Sequence, residues 1–301
     1  NKTISEATTV DNLNTKWHDG PATITSDGST MYFASESFNE SKGFEKDKEK
    51  QLKFGKIYLY KATKEGDTWS NKKALPFNDK TYSVRNPSIS KDGKTLYFSS
   101  NMPGGLGAED IWKVSVNGDS YGTPENLGSR VNTEGNDSFP FITDDSVLYF
   151  SSDARQGLGG LDVFKIDLND NSDAMNIGLP VNSEKDDFAF SIQGTKGFFS
   201  TNRNGSDDIL SYDYKQSFVK LVGKLLVDSA VSIGKKIYLY QKNEQGKSIL
   251  KDSSIVDTNG NYEFKIRPNQ AYDLVAFDDA GNRFQQTSIS DGYQKINNEY
   301  V

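Results

Sequence analysis

The side chains best placed to do chemistry in this 301-residue chain are carboxylates that recur at one spot of a repeated phrase. Asp110, Asp162 and Asp208 each close a Gly-rich turn and open a strand-like run. A carboxylate so placed can ligate a metal, or it can accept backbone N–H bonds and fix the loop; the position between turn and strand favours the structural role. The run from Asp167 to Asp173 alternates oxygen ligands as a calcium loop would, yet it lacks the central Gly and distal Glu of that pattern and reads as a solvated loop. Cysteine is absent and His18 is the single histidine, so a zinc site or a Ser-His-Asp triad would have to be built around that one residue. His18 reads as a turn or edge residue, and no metal or cofactor is expected.

Glycoside hydrolysis needs two carboxyl groups at a set separation in a pocket, and among 42 acidic residues some pair always looks available. The run Ser90-Lys91-Asp92-Gly93-Lys94-Thr95 faintly resembles the Asp-box turn of sialidases, but Asp92 and Gly93 are adjacent where that box separates them. A hairpin turn accounts for these residues better. The Gly-rich loops Pro103–Gly107 and Gly157–Gly160 carry no Lys-Ser/Thr and open no helix, so they do not cradle phosphate. Small residues there suit close approach of neighbouring elements. Arg155 and Arg203 sit in corresponding loops and are candidates to grip an acidic partner or a carboxylate, the alternative being ordinary solvent exposure.

Four strands position these residues. Met31–Ser35, Leu96–Ser100, Leu148–Ser152 and Gly197–Thr201 are aromatic runs ending in Ser or Thr, with Tyr32, Tyr97, Tyr149 and Phe198 spaced 65, 52 and 49 residues apart. A short run bearing Pro or a small residue precedes each one, with Pro expected at the first position of a strand. A third strand follows each loop, as Ile57–Tyr60, Ile111–Val114, Val163–Ile166 and Ile209–Tyr212. Weaker fourth strands fall near Lys73–Leu75, Glu125–Leu127 and Met175–Ile177. One such unit cannot bury its own apolar face and must stack on its neighbours. The expected fold is all-β, a β-propeller over residues 1–216 with four recognisable blades of a larger ring, followed by a small β-sandwich over residues 217–301. Val10–Trp17 parallels Glu125–Thr133, so the chain opens on a fourth strand, either closing a four-bladed ring or belonging to a blade further upstream.

The first spacing is long because of a charged insertion, Glu36–Gly55, with Lys42, Glu45, Lys46, Asp47, Lys48, Glu49 and Lys50 around Phe38, Phe44 and Phe54. It reads either as a solvated excursion or as a partner-contact loop in which those three phenylalanines are the candidates. Hydrophobic residues make up 34% and aromatics 12% of the chain, a balance that suits short, turn-rich strands. A net charge of -7 argues against nucleic acid, which would need a basic stripe. No apolar run reaches the roughly 18 to 20 residues that cross a bilayer. The start at Asn1, without Met or a signal-like segment, reads as a processed or excised chain.

The phrase Asp92–Gly105 followed by Asp110-Ile111-Trp112 resembles the TolB-like, WD40-like repeats of bacterial periplasmic propellers. The longer order is more specific: Asn14-Thr15-Lys16-Trp17-His18, Leu75-Pro76-Phe77-Asn78, Tyr82-Ser83-Val84, Asn132–Gly135, Pro180–Ser183 and Asp186–Phe190. Over residues 12–215 it is similar to the propeller of PorE-like, OmpA-family lipoproteins associated with type IX secretion. Residues 217–301, through Gly223, Asp257–Gly260 and Tyr262–Phe264, are similar to the carboxypeptidase-regulatory-like domain that follows it. The resemblance implies a non-enzymatic scaffold, periplasmic and outer-membrane associated, whose partners are proteins of the cell envelope and which supports secretion or gliding. It implies peptidoglycan binding only through a C-terminal domain not in this sequence, and an upstream blade that leaves the ring incomplete here. The alternative is a glycan-binding or glycan-cleaving propeller.

Overall fold

The computed structural model describes residues 9–40, 44–47, 52–214, 219–227, 230–242, 246–267, 271–278 and 280–289. The chain divides into two compact units, Asn1–Asp213 and Tyr214–Val301. Both consist of small antiparallel sheets, and among the described residues the only helical turn is Ser37–Asn39.

The first unit is a succession of four sheets. The first sheet holds β1 (Asp19–Ile24) and β2 (Thr30–Glu36), then, after the hairpin β3 (Phe44–Asp47) and β4 (Leu52–Gly55), β5 (Ile57–Glu65) and β6 (Thr68–Ala74). The second holds β7 (Val84–Ile89), β8 (Thr95–Ser100), β9 (Asp110–Asn117), β10 (Ser120–Tyr121) and β11 (Glu125–Asn126). The third holds β12 (Asp137–Ile142), β13 (Val147–Ser152), β14 (Asp162–Asp167) and β15 (Met175–Asn176). The fourth has three strands: β16 (Asp187–Gln193), β17 (Lys196–Thr201) and β18 (Asp208–Asp213).

Why the second strands are aromatic runs rather than alternating ones follows from what covers them. Successive side chains of a strand point to opposite faces, and here each inner sheet has a neighbour on both faces. Leu96, Phe98, Trp112 and Val114 pack with Tyr32, Ala34 and Leu59 of the first sheet. Tyr97 and Ile111 pack the other way, with Leu148, Phe150 and Phe164 of the third. Val163 and Tyr149 in turn meet Phe190 and Phe199 of the fourth. Burying a Phe or Leu in this way stabilises by about 1.5–3 kcal/mol.

Each hairpin turn behaves as its residues dictate. Gly28 and Gly93 adopt φ of 73° and 70°, and Ser146 takes the same left-handed conformation in the third copy. Asp27 and Asp92 accept the N–H two residues on, so the carboxylate of the Asp-box-like run is used inside its own turn. Proline falls elsewhere than expected. Pro21, Pro87 and Pro140 lie inside β1, β7 and β12, at register shifts between Asp19 and Ala22, Arg85 and Ser88, and Ser138 and Phe141. A bulge leaves that residue unpaired, so the missing N–H costs no ladder bond.

The opening segment is also not a strand. Val10–Asn14 forms a turn, with Leu13 and Asn14 donating to the Val10 carbonyl, and Leu13 packs on Phe33, Tyr58 and Tyr60 of the first sheet.

In the second unit β19 (Val219–Lys224) is followed by β20 (Leu226–Val227), β21 (Ala230–Val231), β22 (Lys236–Lys242), β23 (Ser248–Ile255), β24 (Asn261–Ile266), β25 (Ala271–Phe277) and β26 (Arg283–Ile289). The pair β19–β24 and the sheet β23-β22-β25-β26 share one apolar core, with Leu221, Tyr262 and Phe264 from the pair and Ile237, Leu239 and Leu274 from the sheet.

Candidate functional site

One end of the four-sheet unit gathers most of the residues that the sequence singles out. The second strand of each sheet ends there, the loop to the third strand turns there, and in the first three sheets the chain leaves by a strap that leads into the next sheet. Each strap is pinned by an asparagine. The Asn132 carboxamide accepts from the Ile111 N–H at 2.8 Å and donates to the Ile111 carbonyl at 2.9 Å. Asn182 does the same to Val163, both at 2.8 Å, and Asn78 to Leu59 at 2.9 and 2.8 Å. These are bonds to buried backbone, so each one matters more than a surface bond would.

The repeated carboxylates fix the loops. Asp110 Oδ2 accepts the N–H of Leu106 at 2.7 Å and that of Gly107 at 3.4 Å. Asp162 Oδ2 accepts those of Leu158 and Gly159. Asp208 makes a weaker version, accepting the Asn204 side-chain amide at 3.3 Å. Among the described residues no group of three or more His, Cys, Asp or Glu side chains is placed to hold a metal. The glycines earn their positions through close approach: a Cβ on Gly107 would collide with the carbonyls of Thr133 and Gly135, and one on Gly159 with those of Ser183 and Lys185. A second row of carboxylates begins the inner strands. Asp137 holds the Thr133 N–H and hydroxyl, and burial raises its pKa against the pull of Ser152, Thr133 and Arg155. Burial likewise raises Glu109, with Arg85 opposing.

Arg155 and Arg203 turn into the unit instead of out of it. The Arg155 guanidinium donates to the carbonyls of Arg130 and Val131 at 3.0 and 2.9 Å and lies over the rings of Phe150 and Phe164. Arg203 donates to the Pro180 and Val181 carbonyls, pairs with buried Asp187 at 2.6 Å, and covers Phe199. Both clamp a strap, a role invisible from sequence because the acceptors are backbone atoms more than twenty residues away.

The charged insertion is built on the hairpin β3–β4, whose neck is closed by Ser37 N–H to the Lys56 carbonyl and Lys56 N–H to Ser37 Oγ, both 2.9 Å. Lys42, Lys48, Glu49 and Lys50 lie outside the described residues, as does the side chain of Phe44, which opens β3. Phe38 packs against Trp17 with ring centroids 4.8 Å apart and the rings tilted by 48°. It also sits so close to Gly55 that a Cβ there would lie 2.9 Å from the ring. Phe54 is 49% exposed and Trp17 42%.

Trp17 was not among the candidate contacts, although the strap alignment holds a signal: it stands where the strap between the second and third sheets has Gly135, which tucks against Asp153 and Ala154. His18 bonds Glu36 Oε1 through Nδ1 at 2.8 Å, the same position that Asn136 and Asp153 fill at 2.7 Å and Asp186 and Asn202 at 2.8 Å. Leu106 and Leu158, whose N–H groups the repeat carboxylates hold, leave half of their side chains in solvent. The loop end therefore exposes Trp17 and Phe54 beside the first sheet, Leu106 on the second and Leu158 on the third.

The opposite end carries an open groove of about 850 Å³ between the third and fourth sheets, lined by Phe141, Ile142, Tyr149, Ile192 and Phe198. Its carboxylates are already engaged, Asp144 with Lys91 and Asp145 with the Thr143 hydroxyl.

No family model matches the chain, and no curated protein matches it. Solved structures similar to it include a puromycin-hydrolyzing peptidase of Mycobacterium tuberculosis, at 12% identity and a TM-score of 0.40, covering 87% of this chain and 35% of that one. Hydrazine synthase of Kuenenia stuttgartiensis is similar at 11% identity and a TM-score of 0.40, over 91% of this chain and 61% of that one. A Dyadobacter fermentans protein of unknown function matches at 11% identity and a TM-score of 0.32, over 91% and 94%. The chain thus spans about a third of the peptidase and three-fifths of the synthase.

Proposed function

We propose that the four sheets are blades of a β-propeller belonging to a larger ring, that the second unit is a β-sandwich of the carboxypeptidase-regulatory-like kind, and that the chain is a non-enzymatic scaffold. On this reading it works in the periplasm, associated with the outer membrane, where it holds protein partners of a secretion or gliding machine. The loop end is the binding face. The observation that carries the reading is the division of labour at that end: the repeat carboxylates, Arg155 and Arg203 are engaged in fastening loops and straps, while Trp17, Phe54, Leu106 and Leu158 are exposed. Exposed apolar side chains that share one face mark interaction surfaces, and aromatic residues are over-represented at their centres.

The test replaces Trp17, Phe54, Leu106 and Leu158 by Ser together and compares capture of envelope proteins by the two forms. Loss of a specific partner with an unchanged melting profile supports the face; full retention refutes it. A glycan-binding propeller is the competing reading, favoured by the aromatic lining of the groove at the other end. Titration with peptidoglycan fragments and oligosaccharides separates the two, since saturable binding abolished by Phe198→Ser would replace the scaffold reading.

A further inference from the structure

Three junctions join the four sheets of the first unit, and the last of them lacks what closes the other two at the hairpin end. In the first two, a leucine on the second strand fills the space against the preceding sheet. Leu96 packs with Tyr32 and Leu59, Leu148 packs with Tyr97 and Ile111, and both leucines are fully buried. The residue paired with each leucine donates its N–H to a hydroxyl of the preceding inner strand, Ile89 to Thr23 at 3.3 Å and Ile142 to Ser88 at 3.1 Å. The hairpin turns are also bonded in series, Ser26 Oγ to the Lys91 carbonyl at 2.7 Å and Lys91 Nζ to the Asp144 carboxylate.

Between the third and fourth sheets all three devices are missing. Gly197 pairs with Ile192 as Leu96 pairs with Ile89 and Leu148 with Ile142, so the place of the leucine holds no side chain. The chain cannot fill that place itself, because a Cβ on Gly197 would collide with the Ser191 carbonyl. Phe141 stands where Thr23 and Ser88 offer hydroxyls, which leaves the Ile192 N–H without that acceptor. The fourth turn is the shortest, with four residues between Ile192 and Gly197 against six between Ile89 and Leu96. Among the described residues no hydrogen bond joins it to the third turn. The result is the groove of about 850 Å³, walled by Phe141, Val147 and Tyr149 on one side and by Ile192 and Gly197 on the other. Both walls lie inside the chain, so the opening does not depend on what stands beyond the first or fourth sheet.

We propose that this groove holds an extended segment of a partner protein that supplies the missing parts: an aliphatic side chain of leucine size over Gly197, a main-chain carbonyl for the Ile192 N–H, and an acidic side chain for Lys196. The two closed junctions show what the space takes when it is filled from within. Charge selects the flanking residue. Lys196 lines the groove and forms no ion pair among the described residues, whereas the carboxylates of the opposite wall are engaged, Asp144 by Lys91 and Asp145 by the Thr143 hydroxyl. The volume lies within the range of about 300–1,000 Å³ typical of ligand pockets, and main-chain bonds combined with side-chain pockets are how extended peptides are held. A sugar fits less well, since the vacancy asks for an aliphatic group and the Tyr149 ring is already packed against Phe190, with centroids 4.8 Å apart. The inference goes beyond the loop-end face, which lies at the other end of the sheets and shares no residue with the groove.

The test is titration of the 301-residue protein, labelled with nitrogen-15 glycine, with the blocked peptide acetyl-Ala-Leu-Glu-Ala-amide. The expected result is saturable shifts of the Gly194 and Gly197 amide signals. Exchanging the peptide's leucine for alanine weakens binding by about tenfold or more. The parent prefers this peptide to its Leu-Lys counterpart, and Lys196→Glu inverts the preference. Lys196 is exposed, so that variant keeps its melting profile. Val147→Glu sets a charge on the apolar wall and abolishes the shifts, while the variant lacking Trp17, Phe54, Leu106 and Leu158 binds the peptide normally, so failure here leaves the loop-end reading standing. No saturable shift, equal affinity for the alanine peptide, an unchanged preference in Lys196→Glu, or saturation of the same amides by peptidoglycan fragments and not by the peptide overturns the proposal.

Discussion

Replacing Asn132 by Ala tests the idea that straps, and not only apolar packing, hold the sheets together. The substitution removes the acceptor for the buried Ile111 N–H and one donor to the Ile111 carbonyl. That carbonyl keeps a second donor, the Leu127 N–H at 3.1 Å, so only the N–H is left without a partner. An orphaned buried donor costs about 1–3 kcal/mol and the lost second bond about 0.5–1 kcal/mol, for a sum of about 1.5–4 kcal/mol. With a urea slope of about 3 kcal/mol/M for a unit of this size, the unfolding midpoint falls by about 1 M.

The assay is tryptophan fluorescence, which reports the first unit alone because Trp17, Trp69 and Trp112 all lie within it. Asn14→Ala is the matched control, since Asn14 holds the equivalent place in the opening segment but is exposed, and it shifts stability by no more than about 0.5 kcal/mol. Asn132→Asp keeps an acceptor for Ile111 N–H while facing its carbonyl with charge. It is at least as damaging as Ala at neutral pH and recovers on acidification. Equal midpoints for Asn132→Ala and Asn14→Ala would refute the reasoning.

Gly107→Ala forces a Cβ against the carbonyls of Thr133 and Gly135 and destabilises the first unit by about 2 kcal/mol or more, whereas Gly118→Ala, with open space and φ of 63°, costs about 1 kcal/mol; paired urea melts check the difference. Arg203→Ala strands the buried Asp187 carboxylate and costs about 3 kcal/mol, more than Arg155→Ala, whose lost acceptors are neutral carbonyls; the same melts rank them. Asp119 bonds Lys61 first and Lys73 second, which lowers its carboxyl from 3.8 to about 2. A depressed folded value adds stability above about pH 4 that is lost as the pH falls toward 2, so Asp119→Asn flattens that part of the stability profile and leaves the slope near pH 7 untouched. A wild-type slope retained between pH 4 and 2 would contradict the pairing.

The second and third strands could be read from sequence because their signals are local: Tyr97-Phe98-Ser99-Ser100 and Ile111-Trp112-Lys113-Val114 are apolar runs between turn residues. Gly28 and Gly93 marked their turns for the same reason. The straps could not be read that way. Asn14, Asn78, Asn132 and Asn182 recur visibly, but what such an amide does depends on which backbone lies opposite, and Ile111 is 21 residues from Asn132. The clamping roles of Arg155 and Arg203 are hidden on the same ground, since a loop arginine looks alike whether its acceptors are solvent or a carbonyl of the preceding strap. Leu13 reads as part of a strand because Val10–Trp17 parallels Glu125–Thr133, but the only strand in that stretch is Glu125–Asn126, and the portion that aligns with Leu13 is itself a turn. The placement of Phe38 against Trp17 brings together residues 21 positions apart, which no local pattern announces.

The closed neck of the inserted hairpin has an engineering consequence. Ser37 and Lys56 are bonded to each other through backbone and hydroxyl, so the first sheet is complete beneath them whatever lies between. Fastening of the stack is done by straps arriving from elsewhere in the chain, and the entropy of closing a loop grows only slowly with its length. That junction is consequently a socket: it accepts a cassette of very different size while the sheets beneath it stay as they are.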